Sequence, residues 1–340
     1  MEKDASVQGR ALLIGATGSL YVSRRYAICR SDDGGRTWSL DCRVPAEGWT
    51  PRVARISLAA RLLRFNIQAF RVLKDGARVA IARDGIYRAE AGEVEMRRTW
   101  AVTRGSRPIN LAAEGHRLLF GEYGRVEMDT FHVRIFLSED GGKSFEPAYE
   151  FPKGAVHHIH NIVVDPYADH YWVLAGDHGR QAGIGALSRD CRHLEWVVRG
   201  SQMGRAVRAL VRPDCLLYGS DSELEPNYIV RLDRKTGRYE RLMPIEGSSL
   251  YATDFGNMGT ISTSVEPSKV NGGNQCSLYA SPDGSNWGKL LSLRKDPWNA
   301  FLFGIALIVL PCVEGSQPPL GMFSGQALAA HHDRTTLFRV

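Results

Sequence analysis

Long apolar runs are missing from this chain of 340 residues: the longest, Ala300 to Leu310, is too short to cross a bilayer as a helix and reads as a buried strand. The opening segment, Met1 to Arg10, mixes acidic and basic residues with no apolar stretch. No secretory signal is therefore expected, and a cytoplasmic location follows. Cysteine is sparse. Cys29, Cys42, Cys191, Cys215, Cys276 and Cys312 stand apart with no C-x-x-C spacing, which argues against a disulfide framework or a thiolate zinc site and leaves them as small buried residues. The formal net charge of +6 favours an anionic partner. No lysine or arginine run and no basic stripe interleaved with aromatics marks nucleic acid, so an acidic polysaccharide fits this charge at least as well. The G-x-S-x-G elbow, the phosphate-binding loop, H-E-x-x-H and the dinucleotide fingerprint are all absent, which weakens serine hydrolase, nucleotide and zincin readings. Helix signals are nearly absent too. The best candidate, Ile56 to Phe65, carries apolar residues at mixed periods, and no long helix is expected.

What is present is repetition. Ser31-Asp32-Asp33-Gly34-Gly35-Arg36-Thr37-Trp38, Ser138-Glu139-Asp140-Gly141-Gly142-Lys143-Ser144-Phe145 and the shorter Ser281-Pro282-Asp283-Gly284-Ser285-Asn286-Trp287 follow one pattern. Ser and Asp can bond the amides of a tight turn, Gly takes left-handed backbone angles, and the aromatic anchors the returning strand. The pattern resembles the Asp box, or bacterial neuraminidase repeat, of sialidase-like proteins. That resemblance implies an all-β propeller in which each box joins the outer two strands of a blade.

The boxes begin 107 and 143 residues apart, about two and three units of roughly fifty residues, the size of a four-stranded blade. Degenerate turns at Arg83-Asp84-Gly85, Ser188-Arg189-Asp190, Asp233 to Gly237 and Asp333-Arg334 fill the gaps. The expectation is one propeller domain over residues 1–340, with seven blades favoured and six also admitted. The last segment offers only about three strands. A strand from the N-terminus, around Ala11 to Ala16, is expected to pair with the C-terminal part and close the ring, removing an open sheet edge.

Inner strands of a propeller line a central channel, so polar residues beside them are informative. The richest segment is Val156-His157-His158-Ile159-His160-Asn161. Strand alternation projects His158 and His160 together, where they can hold a divalent metal or pass a proton. Asp177 in Gly176-Asp177-His178-Gly179 can orient a histidine or bond a sugar hydroxyl. Gln202, Arg205, Asp221, Asn227 and Tyr228 follow in the next blade, where Arg205 offers a planar fork for a carboxylate. Glu122, Tyr123 and Arg125 combine an acid, a phenol and a guanidinium, and Glu266 adds a carboxylate beside hydroxyls. Trp49 and Trp298 sit in loops from which they could stack on a sugar.

Across nearly the whole chain the order of these motifs is similar to bacterial Asp-box proteins loosely grouped as glycosyl hydrolases or exo-sialidases. The similarity implies a carbohydrate-active protein whose site lies on the channel face. It does not extend to sialidase chemistry: no Arg-Ile-Pro occurs, and the nearest string, Arg52-Val53-Ala54-Arg55-Ile56, follows the first box instead of preceding it. Propeller polysaccharide lyases are similar in blade count and in their use of histidine, tyrosine and arginine. The expected activity is cleavage of an anionic glycan, hydrolytic or by elimination. His158, His160 or Tyr123 would act as base, Glu122 or Glu266 as acid, and Arg205 would neutralise a substrate carboxylate. A non-catalytic glycan-binding or polysaccharide-assembly protein and a protein-interaction scaffold are the alternatives.

Overall fold

The computed structural model describes residues 3–45, 57–63, 66–124, 131–315 and 320–339. They form six hydrogen-bonded sheets, one of eight strands, one of five and four of four, which divide into seven antiparallel four-stranded blades, two of them joined by pairing of Ser264 and Val265 with Leu307 and Ala306. Blade 1 is Arg10–Ile14, Leu20–Arg24, Ala27–Ser31 and Ser39–Arg43; blade 2 spans Ile67–Val72 to Arg97–Ala101, and blade 3 spans Ala112–Glu114 to Glu146–Glu150. Blade 4 runs from Ile159–Val164 to Leu194–Arg199, blade 5 from Leu210–Val211 to Tyr239–Ile245, and blade 6 from Ser249–Phe255 to Gly288–Arg294. Blade 7 is Ala306–Val309, Leu320–Gln326, Arg334–Arg339 and, as its outermost strand, Lys3–Gln8. The chain is a β-propeller.

Closure joins the two ends of the chain as expected, but with a different strand. Lys3–Gln8 pairs antiparallel with Arg334–Arg339, whereas the segment assigned to closure, around Ala11 to Ala16, supplies the innermost strand of blade 1. The reason is burial: Arg10–Ile14 is buried throughout and needs neighbours on both sides, while the polar segment before it suits an outer edge.

The three Asp boxes sit at the outer hairpins of blades 1, 3 and 6. In the second copy Asp140 Oδ1 accepts from the amides of Lys143 and Ser144 at 3.0 Å, and Ser138 Oγ accepts from the Gly142 amide at 2.7 Å. In the first and third, Trp38 and Trp287 additionally donate their indole N–H to the turn carbonyls of Gly35 and Gly284. Of the degenerate turns, 188–190 and 233–237 occupy the same outer position in blades 4 and 5. Arg83-Asp84 and the turn at Asp333 instead join second to third strands. In blade 7 the outer pairing joins Arg334–Arg339 to Lys3–Gln8, with no hairpin turn between them.

Middle strands are buried on both faces between neighbouring blades, as in Arg78–Ala82, and outer strands face solvent, as in Ser39–Arg43. Aromatics fill the wedges between blades: Phe120 stacks on Phe136 at 5.1 Å between ring centres, and Trp100 of blade 2 meets Phe120 edge-on at 4.7 Å. A buried ion pair joins blades 4 and 5. Asp165 takes the indole N–H of Trp172 at 2.8 Å and pairs with Arg234. Only two short α-helices occur among the described residues, Ser57–Leu62 within the candidate region and Ala300–Phe303; the latter lies in the segment read from sequence as a strand. The strand that segment contains is Ala306–Val309.

Candidate functional site

Four successive blades carry an acid at one equivalent place, just beyond the second strand. Glu122 follows Arg117–Gly121, Asp177 follows His170–Ala175, Asp221 follows Cys215–Gly219, and Glu266 follows Met258–Val265. The blades approach closely there. A Cβ on Gly121 would lie 2.2 Å from Ile159 Cβ, and the Ile159 amide donates to the Glu122 carbonyl at 2.9 Å. Gly176 has φ +82°, and a Cβ on it would lie 1.7 Å from the Gln181 carbonyl oxygen, so glycine permits the turn that presents Asp177.

Asp177 is the hub. Its Oδ2 lies 3.0 Å from His157 Nδ1; its Oδ1 lies 3.3 Å from His160 Nε2, 3.4 Å from His158 Nε2 and 3.2 Å from Arg205 Nη2. Burial pushes the Asp177 carboxyl up, but the imidazoles of His158 and His160 outweigh it and hold the group below the usual carboxylate range. His160 is fixed from behind, its Nδ1 lying 2.9 Å from the Ala206 carbonyl. His158 is only 6% exposed, and neither ring nitrogen makes a hydrogen bond. Burial depresses its pKa to about 4, against the opposing pull of Asp177. Tyr123 packs on it at 4.4 Å between ring centres. Burial first, and then the charges of Asp177, Asp221 and Glu266, push that phenol up to about 12.

Arg205 is engaged on every side. Nε lies 3.2 Å from Asp221 Oδ2, Nη2 3.2 Å from Asp177, and Nη1 3.7 Å from Glu223 Oε1. Its Nε, close to Asp221, nevertheless makes no hydrogen bond. Burial raises the pKa of Asp221 against the pull of Arg205, and one of its oxygens, Oδ1, is buried with no hydrogen-bond partner. Glu266, half-buried, is pushed up to about 7 by burial and by the Asp221 charge, with Arg205 opposing.

Other candidates have different duties. Glu122 is clamped by Arg104 through two bonds of 2.7 and 2.6 Å, and by the Arg134 guanidinium and amide at 2.8 and 2.9 Å. Burial raises its pKa, but the two guanidiniums win and keep it ionised. The four contacts tie Glu122 to its neighbouring strand and loop. Gln202 spends its amide on the Asp177 carbonyl (3.0 Å) and on Ser222 Oγ (3.0 Å). Asn227 bonds Ser220, Ser222 and Asn271. Both hold the loops that carry the acids. Tyr228 follows Asn227 on the opposite sheet face, where Arg241 covers its ring at 4.9 Å. Trp298 is 44% exposed. Arg125, Trp49 and Arg52 to Ile56 lie outside the described residues.

His157 and Glu223 join the cluster although the sequence did not single them out. Alternation places His157 opposite His158, but the strand begins only at Ile159 and its register shifts between Ile159 and Asn161. Both preceding imidazoles therefore reach Asp177. Among the described residues His157, His158 and Asp177 offer ligand atoms within 4.8 Å of one another, close enough to share a cation. The trio differs from the expected pair of His158 and His160.

No family model matches this chain, and no curated protein sequence is similar to it. The fold does have counterparts among solved structures. YCF48 bound to D1 peptide superposes with TM-score 0.57 at 11% identity, covering 100% of this chain and 96% of that one. The WD40 β-propeller domain of Doa1 gives 0.59 at 10% identity, covering 99% and 96%. An ancestral GH74 enzyme gives 0.53 at 10% identity over 88% of this chain, which spans 40% of that enzyme. Identities this low establish the propeller and nothing finer. Membership of the Asp-box sialidase-like family is not supported by them. No helix among the described residues is long and apolar enough to cross a membrane.

Proposed function

We propose that the face around Asp177 cleaves a neutral glycan by acid–base hydrolysis, with Glu266 as proton donor and Asp177 as the carboxylate that activates water. One observation carries this reading. Two acids, on blades 4 and 6 with blade 5 between them, have their proton affinities driven apart, Glu266 up to about 7 and Asp177 downward. Such a pair suits glycosidic cleavage, in which one carboxyl gives a proton while the other stays charged. Tyr123, kept neutral, donates a hydrogen bond to a sugar hydroxyl. The GH74 neighbour is consistent with carbohydrate chemistry on this fold.

The substrate is neutral in this proposal because Arg205 is already balanced by Asp177, Asp221 and Glu223. Elimination from a uronic acid needs a free cation at the sugar carboxylate, and the described pocket does not offer Arg205 for that role. Hydrolysis is therefore preferred over the lyase reading. A cation on His157, His158 and Asp177 is the rival arrangement, since it would make Asp177 a ligand instead of a base.

A panel of neutral and acidic oligosaccharides, read by release of reducing ends, tests the proposal. Neutral substrates should be cleaved by the native protein, and Glu266→Gln should bind them without turnover. Release of unsaturated sugars, or no turnover on any substrate with binding indifferent to Glu266→Gln, would overturn it.

A second reading, docking of a protein, is favoured by Trp298, Phe301 and Leu302, exposed by 44, 84 and 50% on the segment between blades 6 and 7. The YCF48 and WD40 neighbours fit such a role. Phe301→Ser should then abolish partner capture and leave any glycan turnover unchanged.

A further inference from the structure

A second polar cluster lies on the propeller axis, assembled from blades that are far apart around the ring. Cys312 and Val313 form a short strand inserted beside Arg10–Ile14 of blade 1, parallel to it, with Cys312 opposite Leu13. Arg208, just ahead of the first strand of blade 5, brings Nη1 to 3.3 Å from Cys312 Sγ. Its guanidinium also lies 5.5 Å from the centre of the Tyr251 ring of blade 6. Arg10 donates to Tyr251 Oη at 2.6 Å and to Gln326 Oε1 at 2.9 Å. Arg71 of blade 2 faces the same sulfur.

This cluster is short of negative charge. Arg10, Arg71 and Arg208 converge on it, and Arg208 Nε is buried without a hydrogen-bond partner. Glu314 is the carboxyl within reach, and burial pushes it toward its neutral form against the pull of Arg71. The group best placed to supply the missing charge is the thiol. Burial alone would raise it, but Arg71 and Arg208 outweigh that and bring Cys312 below the ordinary value for a thiol. Cys312 also keeps partial exposure, while the other five cysteines are buried. A cysteine that is both electropositively flanked and accessible is a nucleophile, whereas buried apolar thiols are inert.

We propose that Cys312, with the guanidinium of Arg208 3.3 Å from its sulfur and Arg71 facing it, is the reactive thiol of this chain and is oxidised by hydroperoxides that reach it. The sulfur attacks one peroxide oxygen and the O–O bond breaks. The sulfur is oxidised by two electrons to a sulfenic acid, and the other oxygen leaves as hydroxide or alkoxide and takes a proton from solvent. Oxidation changes the partner of Arg208, which stands two residues after Ala206, the residue whose carbonyl fixes His160.

The full chain is treated with limiting iodoacetamide, and separately with hydrogen peroxide and a sulfenic-acid trap, and each cysteine is followed by peptide mass spectrometry. The five buried cysteines serve as internal controls. Cys312 should label at least ~10-fold faster than Cys29 or Cys215, with a rate that levels off at lower pH than that of an ordinary thiol. Arg208→Gln should slow it by ~3–10-fold at neutral pH, and Arg208→Lys should restore most of the rate. A Cys312 rate that climbs steadily with pH through the range of an ordinary thiol, or labelling no faster than the controls, would overturn the proposal. The native pH profile decides the matter even if Arg208→Gln does not fold.

Discussion

Arg205 Nη2 lies 3.2 Å from Asp177 Oδ1, linking the loop that opens blade 5 to the loop that ends the second strand of blade 4. The same guanidinium reaches Asp221, so one buried cation holds two acids that would otherwise repel. Removing it should be expensive. Arg205→Met is expected to cost ~3–5 kcal/mol in urea unfolding because Asp177 and Asp221 are left without a partner. Arg205→Lys should recover part of that, the compact ammonium reaching one acid but not both. A loss below ~1 kcal/mol would show that the pair is not buried as described.

Glu266 sets a pH limit. As proton donor it works only while protonated, so turnover should fall as pH rises through about 7. Glu266→Gln should reduce turnover by ~10²–10⁴-fold and remove that limb. Stability follows the same sign. The folded protein holds this proton more tightly than the unfolded chain does, so the contribution is complete below the ordinary value of 4.5 and gone once pH passes about 7. Unfolding of native and Glu266→Gln protein across that window measures it.

The Asp165–Arg234 pair across blades 4 and 5 has side chains exposed by 0 and 7%. Asp165→Ala strands a buried guanidinium and the Trp172 indole, and should cost ~3–5 kcal/mol. Trp172→Phe, which removes only the indole bond to Asp165, should cost less, ~1–3 kcal/mol.

Deleting residues 1–8 removes the outermost strand of blade 7 and exposes the edge of Arg334–Arg339. Loss of the ring closure should lower the melting temperature and promote self-association through that edge. Light scattering during a thermal ramp reads both effects.

A chelator separates the two arrangements of Asp177. With Asp177 as base, extended dialysis against EDTA should leave turnover unchanged. Loss of activity restored by one divalent ion, and absent from His158→Ala but present in His160→Ala, would assign the cation to His157, His158 and Asp177 instead.

The repeated Ser-x-Asp-Gly turns made the blades legible, because a turn that bonds its own amides is a local device written in consecutive residues. The spacing of the boxes gave the period for the same reason. Arg83-Asp84 was misplaced because a tight turn between second and third strands uses the same residue types as one between third and fourth. The closing strand was misjudged because burial, not composition, decides whether a strand is innermost or outermost.

His158, His160, Asp177 and Arg205 could be picked out by residue type and strand position. Their meeting could not, since it depends on how closely two blades approach at Gly121 and Gly176. Glu122 looked like the others, standing at the same point in its blade. Only the positions of Arg104 and Arg134, one before and one after it in the chain, turned it into a structural tie. Local chemistry written along the chain thus determined the turns, the strands and the propeller. Radial packing decided which side chains face each other, and therefore which groups gather at Asp177 and which cysteine lies beside Arg208.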